Sequence, residues 1–128
     1  MPGSTMKILI AEDFATMRRI IKNVLRQAGY QQIVEADDGV AALRKLKSDD
    51  IGLVIADWNM PNMTGLDLLK AMRNDNTLKD IPFLMVTAEA KKDNIIEAIQ
   101  SGASNYLVKP FTPDMLREKI DQILTDER

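Results

Sequence analysis

The sequence contains no cysteine and no histidine. The first absence excludes disulfide bonds and thiolate nucleophiles, and the two together remove the usual zinc ligands. Without histidine the chain also has neither a serine–histidine catalytic triad nor a histidine acid–base catalyst. Any chemistry must therefore come from carboxylates, hydroxyls, lysine and arginine.

The sequence also lacks an excess of either charge and any long hydrophobic run. Its 128 residues carry 17 basic and 19 acidic side chains, a net charge of −2 that gives no indication of nucleic-acid binding. No apolar run approaches the ~20 residues of a membrane-spanning helix. We therefore expect a cytoplasmic monomer that binds neither nucleic acid nor membrane. Four basic residues in the first helical segment are interpreted as a solvated helix face: Arg18, Arg19, Lys22 and Arg26.

Short apolar runs alternate with segments of helical period along most of the chain. Residues 1–5 do not share this pattern, and we interpret them as a flexible leader or cloning remnant that precedes one domain, 6–128. The apolar runs predict strands near 8–11, 33–36, 53–56, 83–86 and 106–108, each followed by a helix. This alternation predicts a doubly wound parallel α/β sheet with helices on both faces. Its flavodoxin-like strand order, 2-1-3-4-5, is assigned by analogy with known folds, because periodicity does not give it.

Polar side chains stand where the predicted strands end. Glu12 and Asp13 follow the first strand, Asp57 the third, Thr87 the fourth and Lys109 the fifth. Ligands of such sheets bind beyond the carboxyl ends of the strands, so we expect these side chains to meet. Each has an ordinary explanation when taken singly: a helix cap for Asp13, a turn for Asp57, a loop hydroxyl for Thr87 and a surface charge for Lys109.

Taken together, these residues indicate a metal site and phosphoryl transfer. Three clustered acids without a counter-charge would repel one another, and a hard divalent cation would stabilise them. A site made only of oxygen ligands suits Mg²⁺. Magnesium beside a lysine and a hydroxyl is typical of phosphoryl transfer. Asp57, at the end of the central strand, is the best candidate for the nucleophile, which would form an acyl phosphate.

Several motifs resemble the receiver domain of two-component response regulators. They are Glu12-Asp13, Asp57 with Met60-Pro61 and Gly65, Thr87-Ala88, and Lys109-Pro110. The longer runs at 13–19, 57–63, 85–92 and 108–112 are similar to those of the CheY family of single-domain chemotaxis regulators. The resemblance covers the chain from Met6 to its C-terminus.

The resemblance implies the roles of the site residues. Asp57 would receive a phosphoryl group from a phosphohistidine on a sensor histidine kinase of the CheA type. Magnesium would be bound by Glu12, Asp13, Asp57 and the backbone carbonyl of Asn59. Around the phosphoryl group would lie Thr87, Ala88 and Lys109, with Tyr106 as the switch aromatic. Residues Asn59 and Glu89 would tune hydrolysis.

The resemblance also implies how the signal leaves the protein. The flagellar motor switch protein would bind a surface on the last two helices and the edge strand that contains Ala90, Ile95, Tyr106 and Lys119. A phosphatase is a further candidate partner. The chain would then be a phosphoacceptor signalling protein with slow self-dephosphorylation rather than an enzyme.

Two positions depart from the family pattern. Glu12 stands where the related chemotaxis proteins commonly carry aspartate, and its extra methylene can alter metal geometry or affinity. Thr64 replaces an acidic residue that usually precedes Gly65, a surface change that we expect to have no effect.

Other readings of the same residues remain open. The chain can be a receiver paralogue that only drains phosphate from a shared kinase. A magnesium-dependent aspartyl-phosphate phosphatase would need a second aspartate where Asn59 stands. A flavodoxin-like electron carrier would need a glycine- and hydroxyl-rich phosphate loop instead of Glu12-Asp13. A DNA-binding regulator would need an effector domain after the last helix, which we do not expect here.

Overall fold

A computed structural model of the chain describes residues 5–88 and 90–126. Strands and helices alternate along it, as the sequence predicts. The strands are β1 (Lys7–Ala11), β2 (Gln32–Ala36), β3 (Leu53–Asp57), β4 (Phe83–Thr87) and β5 (Asn105–Val108). The helices are α1 (Ala15–Gln27), α2 (Gly39–Ser48), α3 (Gly65–Arg73), α4 (Lys92–Gln100) and α5 (Pro113–Asp126).

The strands form one parallel sheet in the order β2-β1-β3-β4-β5, which confirms the predicted fold class and strand order. Ala11 pairs with Ala36 and Ala56. Asp57 pairs with Val86 at the next strand end. Because the strands are parallel and in this register, the residues that end β1, β3, β4 and β5 lie along one edge of the sheet.

Two apolar layers cover the faces of the sheet. Helices α1 and α5 bury residues such as Leu25 and Leu116 against one face, and α2, α3 and α4 bury Leu46, Met72 and Ala98 against the other. Strands β3 and β4 are buried along their whole length, as expected of strands covered on both sides. Each large apolar side chain removed from water stabilises the fold by roughly 1.5–3 kcal/mol. The site at the sheet edge therefore rests on rigid strands.

Side-chain caps fix where several helices begin. Oδ1 of Asp38 accepts a hydrogen bond from the Ala41 amide at 2.7 Å at the start of α2. Thr64 caps α3 in the same way, so the residue that departs from the family pattern has a local structural role. Thr112 precedes α5, and its Oγ1 accepts a hydrogen bond from the Met115 amide at 3.1 Å.

The predicted leader falls largely outside the described residues, which begin at Thr5. The Thr5 carbonyl accepts a hydrogen bond from Nε2 of Gln32 at 3.0 Å, so this residue contacts the edge strand β2. In the described part of the chain, no helix has both the length and the apolar character needed to cross a membrane.

Candidate functional site

Asp57 is the last residue of the fully buried strand β3, and only 7% of it is exposed. Gly65 fixes the backbone around it, because its amide donates a hydrogen bond to the Trp58 carbonyl at 2.8 Å. A Cβ atom on Gly65 would overlap the carbonyl oxygen of Asp57. The amide of Asn59 also lies 3.4 Å from Oδ1 of Asp57. Asp57 is thus a buried carboxylate whose backbone packs so closely on Gly65 that no side chain fits there.

Glu12 follows β1 and is 1% exposed. Its amide donates to the Ala36 carbonyl at 3.0 Å, and its Oε2 accepts from the Phe14 amide at 3.2 Å. Burial raises the pKa of the Glu12 carboxyl above its ordinary value of 4.5; the hydrogen bond from Lys109 opposes the rise, and the charge of Asp57 adds to it. Glu12 therefore lies inside the site with its carboxyl group fixed.

Lys109 joins the two buried acids. Its Nζ donates to Oε1 of Glu12 at 2.8 Å and to Oδ2 of Asp57 at 3.1 Å, with 20% of its side chain exposed. Burial alone would lower the pKa of the ammonium, but the hydrogen bonds and charges of Glu12 and Asp57 outweigh it and raise the pKa above 10.5. Two sequence-based readings are therefore corrected: Lys109 is not a solvated surface charge, and the acids do have a counter-charge.

Asp13 completes the acidic cluster from the solvent side. Its side chain is exposed, and one oxygen from each of Glu12, Asp13 and Asp57 can be chosen so that all three lie within 4.8 Å of one another. The helix-cap explanation for Asp13 is wrong, because Phe14 occupies the N-cap of α1 and makes no side-chain cap hydrogen bond. Three carboxylate oxygens at this spacing, one of them open to solvent, fit a hard divalent cation such as Mg²⁺.

Thr87 ends β4 beside this cluster and is 2% exposed, so it is not a plain loop hydroxyl. Its carbonyl accepts a hydrogen bond from the Lys109 amide at 2.8 Å, which joins the ends of β4 and β5. Ala88 follows it and is exposed. The strand ends thus bring together four of the predicted residues, namely Glu12, Asp57, Thr87 and Lys109, and Asp13 lies close by.

Tyr106 lies on β5 and pairs with Met85 of β4. Its half-buried ring packs against the core formed with α2, α3 and α4. The Nζ atom of Lys119 lies 5.4 Å from the ring centroid. The side chain of Asn105 accepts hydrogen bonds from the Tyr106 amide at 2.8 Å and from Nζ of Lys119 at 3.3 Å. Tyr106 and Lys119 are therefore neighbours on one surface.

One part of the predicted partner surface needs correction. Ile95 lies on α4, but Ala90 does not lie on a helix, because Lys91 is the extended N-cap residue and α4 begins at Lys92. Ala90 is an exposed residue of the β4–α4 loop. Glu89, predicted to tune hydrolysis, lies outside the described residues.

Arg18 is a site neighbour that the sequence interpretation missed. Its Nη1 donates to the Glu12 carbonyl at 2.8 Å, and its Nε lies 3.4 Å from Oε1 of Glu35. Lys22 pairs with the other Glu35 oxygen at 3.0 Å. The predicted solvated face is therefore wrong for Arg18 and Lys22, whereas Arg19 and Arg26 are exposed. No local pattern indicates these contacts, since they depend on β2 lying beside β1.

Comparisons with known proteins agree with this geometry. Residues 8–121 match the family model described as the response regulator receiver domain. The chain is 59% identical over 118 residues to the chemotaxis protein CheY of Pseudomonas aeruginosa, covering 92% of this chain and 95% of that protein. It is 58% identical over 121 residues to CheY-3 of Vibrio cholerae, covering 94% and 93%. The solved structure of the V. cholerae chemotaxis response regulator CheY4 superposes with a TM-score of 0.86 at 35% identity, covering 92% of this chain and 98% of that one.

Proposed function

The chain belongs to the response regulator receiver domain family as a CheY-like chemotaxis regulator, and we propose that Asp57 is its phosphoacceptor. The observation that carries the proposal is the pairing of Lys109 with both Asp57 and Glu12 in a site that also holds Asp13. The arrangement supplies a carboxylate nucleophile, a fixed cation and a set of oxygen ligands. These are the requirements of phosphoryl transfer to aspartate.

In the proposed reaction, a carboxylate oxygen of Asp57 attacks the phosphorus of a phosphohistidine on a kinase of the CheA type. The new O–P bond forms as the P–N bond breaks, and the imidazole nitrogen leaves with the bonding electrons. This chain has no histidine, so the donor must be another protein. Lys109 lies close enough to Asp57 to pair with the phosphoryl oxygens, and the Thr87 hydroxyl is the proposed hydrogen-bond donor to one of them.

We propose that Mg²⁺ is bound by Glu12, Asp13, Asp57 and the backbone carbonyl of Asn59. The bound ion would neutralise negative charge on the phosphoryl group. The Lys109 ammonium now occupies the space between the buried carboxylates, so it must weaken its contact with Glu12 or Asp57 as a cation enters. Glu12, longer than aspartate by one methylene, is the residue through which metal affinity would differ among relatives.

The proposed output is a change at the surface formed by α4, β5 and α5. Phosphorylation adds charge and acceptor oxygens at Asp57, toward which Lys109 and Thr87 can move. Such a movement opens space below β5 for the half-buried ring of Tyr106, which repacks next to Ile95 and Lys119. The proposed partner is the flagellar motor switch protein, with Ala90 at the edge of the contact. Asn59, exposed beside Asp57, is proposed to tune hydrolysis together with Glu89.

Two alternative functions can be distinguished from that of a phosphorylated switch. A phosphatase of the aspartyl-phosphate type would have a proton-transferring carboxyl where the Asn59 amide stands, so we propose a stored phosphoryl group rather than rapid turnover. A phosphate-sink paralogue would keep the Asp57 chemistry but would not change its affinity for the motor switch.

Calorimetry with a peptide from the motor switch protein distinguishes a regulator that changes its partner affinity from a paralogue that only accepts phosphate. We expect the peptide to bind the protein loaded with magnesium and a phosphate mimic about tenfold more tightly than the unloaded protein, equivalent to ~1.4 kcal/mol. Tyr106→Ala should reduce this ratio. Equal affinities in wild type would identify a phosphate sink and rule out the motor-switch output. Transfer of label from a phosphorylated CheA-type kinase to wild type, but not to Asp57→Asn, checks the donor.

A further inference from the structure

We infer that Arg18 is a positioning residue that fixes the peptide unit between Glu12 and Asp13, and so sets the geometry of the proposed magnesium site. Nη1 of Arg18 donates a hydrogen bond to the Glu12 carbonyl at 2.8 Å. That carbonyl belongs to the peptide group whose nitrogen is the Asp13 amide. A bond to it therefore restricts the orientation of the backbone that carries both carboxylates.

Two further hydrogen bonds hold the backbone amide and the side chain of Glu12. Its amide donates to the Ala36 carbonyl on β2 at 3.0 Å, and its Oε2 accepts from the Phe14 amide at 3.2 Å. With the Arg18 contact added, the segment is held on both sides of the exposed Asp13, by the Glu12 backbone before it and by the Phe14 amide after it. Asp13 has no cap interaction with α1 to hold it, so its placement depends on these backbone contacts.

Glu35 keeps the Arg18 guanidinium in place. Its two oxygens lie 3.4 Å from Nε of Arg18 and 3.0 Å from Nζ of Lys22. The hydrogen bond from Lys22 is the main cause of a lowered Glu35 pKa, so the carboxylate stays ionised at neutral pH. Glu35 also stands in β2 directly before Ala36, which binds the Glu12 amide. Glu35 and Ala36 of β2 thus both support Glu12. Glu35 acts through Arg18, and Ala36 binds the Glu12 amide directly.

A positioning role and a purely electrostatic role predict effects of opposite sign. If Arg18 acted only through its charge, removing it would strengthen Mg²⁺ binding, because the Coulomb repulsion between the guanidinium and the metal ion would be lost. Removing a partner that orients metal ligands weakens binding, by about tenfold in comparable second-layer substitutions. The sign of the change therefore separates the two roles.

The test compares Arg18→Met with Lys22→Met, a matched control. Both variants remove one positive charge that contacts Glu35, but only Arg18 contacts Glu12. We expect calorimetry to show Mg²⁺ affinity about tenfold weaker in Arg18→Met and within about twofold of wild type in Lys22→Met. Unchanged or tighter binding in Arg18→Met, or equal weakening in both variants, would overturn the inference.

A second measurement needs no metal. The backbone amide resonance of Asp13 should shift in Arg18→Met and stay in place in Lys22→Met, because only Arg18 binds the carbonyl of that peptide group. This inference rests on the proposed magnesium site. Absence of Mg²⁺ binding in wild type would refute that site. The Asp13 resonance would still test whether Arg18 positions the backbone. If Arg18→Met does not fold, Arg18→Lys replaces it. If the folded variant shows the Asp13 amide resonance at the same position as wild type, the inference is overturned.

Discussion

Nζ of Lys109 lies 2.8 Å from Oε1 of Glu12, a shorter distance than its 3.1 Å to Oδ2 of Asp57. Glu12 is one of the two positions that depart from the expected family pattern, and its carboxylate contacts the lysine directly. The Lys109 ammonium and the proposed Mg²⁺ therefore compete for the same buried carboxylates. The site is held together by an ion pair that the proposed magnesium ion would rearrange.

Lys109→Met should affect stability and metal binding in opposite directions. Loss of the lysine leaves Glu12 and Asp57 as neighbouring buried acids, so the free energy of unfolding should fall by about 2 kcal/mol. This is below the ~3–5 kcal/mol of a fully buried pair, because 20% of the lysine side chain is exposed. Magnesium affinity should rise several-fold, since a competing cation is gone. Urea unfolding and calorimetry measure the two quantities.

The control for this substitution is Lys70→Met, which removes an exposed lysine on α3. It should leave both quantities near wild type. If Lys109→Met bound magnesium no better than Lys70→Met, the lysine would not compete with the metal.

Gly65→Ala should destabilise the protein and slow phosphorylation. The added Cβ overlaps the Asp57 carbonyl and touches the Trp58 backbone, and neither can move without shifting the end of β3. We expect a loss of about 1–3 kcal/mol, as in other overpacked sites. Gly52→Ala is the matched control, because the three atoms nearest to its Cβ all belong to the flexible Met6 side chain, with Cγ at 2.8 Å. Equal effects of the two substitutions in urea unfolding would contradict this account of Gly65.

Acid should remove the stabilisation that Asp38 provides. Its carboxylate accepts hydrogen bonds from the Ala41 amide and from Nδ2 of Asn62, each at 2.7 Å, and the Ala41 bond is the main reason its pKa lies below 3.8. A lowered pKa stabilises the folded state above pH 3.8, and this contribution is lost as the pH falls through the folded-state value. The stability difference between wild type and Asp38→Ala should therefore shrink below that pH.

Thermal unfolding of both proteins across the acid range measures this difference. Asn62→Gly, which removes the side-chain partner and suits the φ of 69° at this position, should give a smaller effect than Asp38→Ala. A difference between wild type and Asp38→Ala that stays constant with pH would show that the charge of Asp38 contributes nothing.

Much of the fold and the main site residues are predictable from local sequence. Apolar runs such as the one ending at Asp57 identify buried strands, and parallel strands bring their carboxyl ends to one edge. This is why residues far apart in the chain, such as Glu12 and Lys109, can be expected to meet. Gly29, the residue after the C-cap of α1, likewise has a φ of 100° that suits glycine, the residue typical of helix ends.

The contacts that sequence reasoning missed depend on side-chain reach across neighbouring elements. Lys109 was not recognised as the counter-charge of the acids, because its spacing in the chain does not show which way the side chain extends. Arg18 and Glu35 meet only because β2 lies beside β1, and charge patterning along α1 suggests a solvated face instead. The resemblance places Ala90 with the partner helices, whereas α4 begins two residues later, at Lys92.

Trp58 provides an optical test of the metal site. The indole is partly buried beside Asp57, so a divalent charge bound nearby should change its emission. Titration with magnesium should give a saturable change, and Glu12→Asp should shift the midpoint because the shorter side chain alters both the metal ligand and the Lys109 contact. An unchanged midpoint would mean that Glu12 contributes little, and no response in either fluorescence or calorimetry would contradict the site.

The most direct test of the account locates the phosphoryl group itself. Wild type treated with acetyl phosphate and magnesium should gain one acid-stable, base-labile phosphate, and peptide mass spectrometry should place it on Asp57. The group should be absent from Asp57→Asn and present in Asp93→Asn, a control at an exposed acid on α4. Undiminished phosphorylation of Asp57→Asn, or a phosphate located on another residue of wild type, would contradict the account.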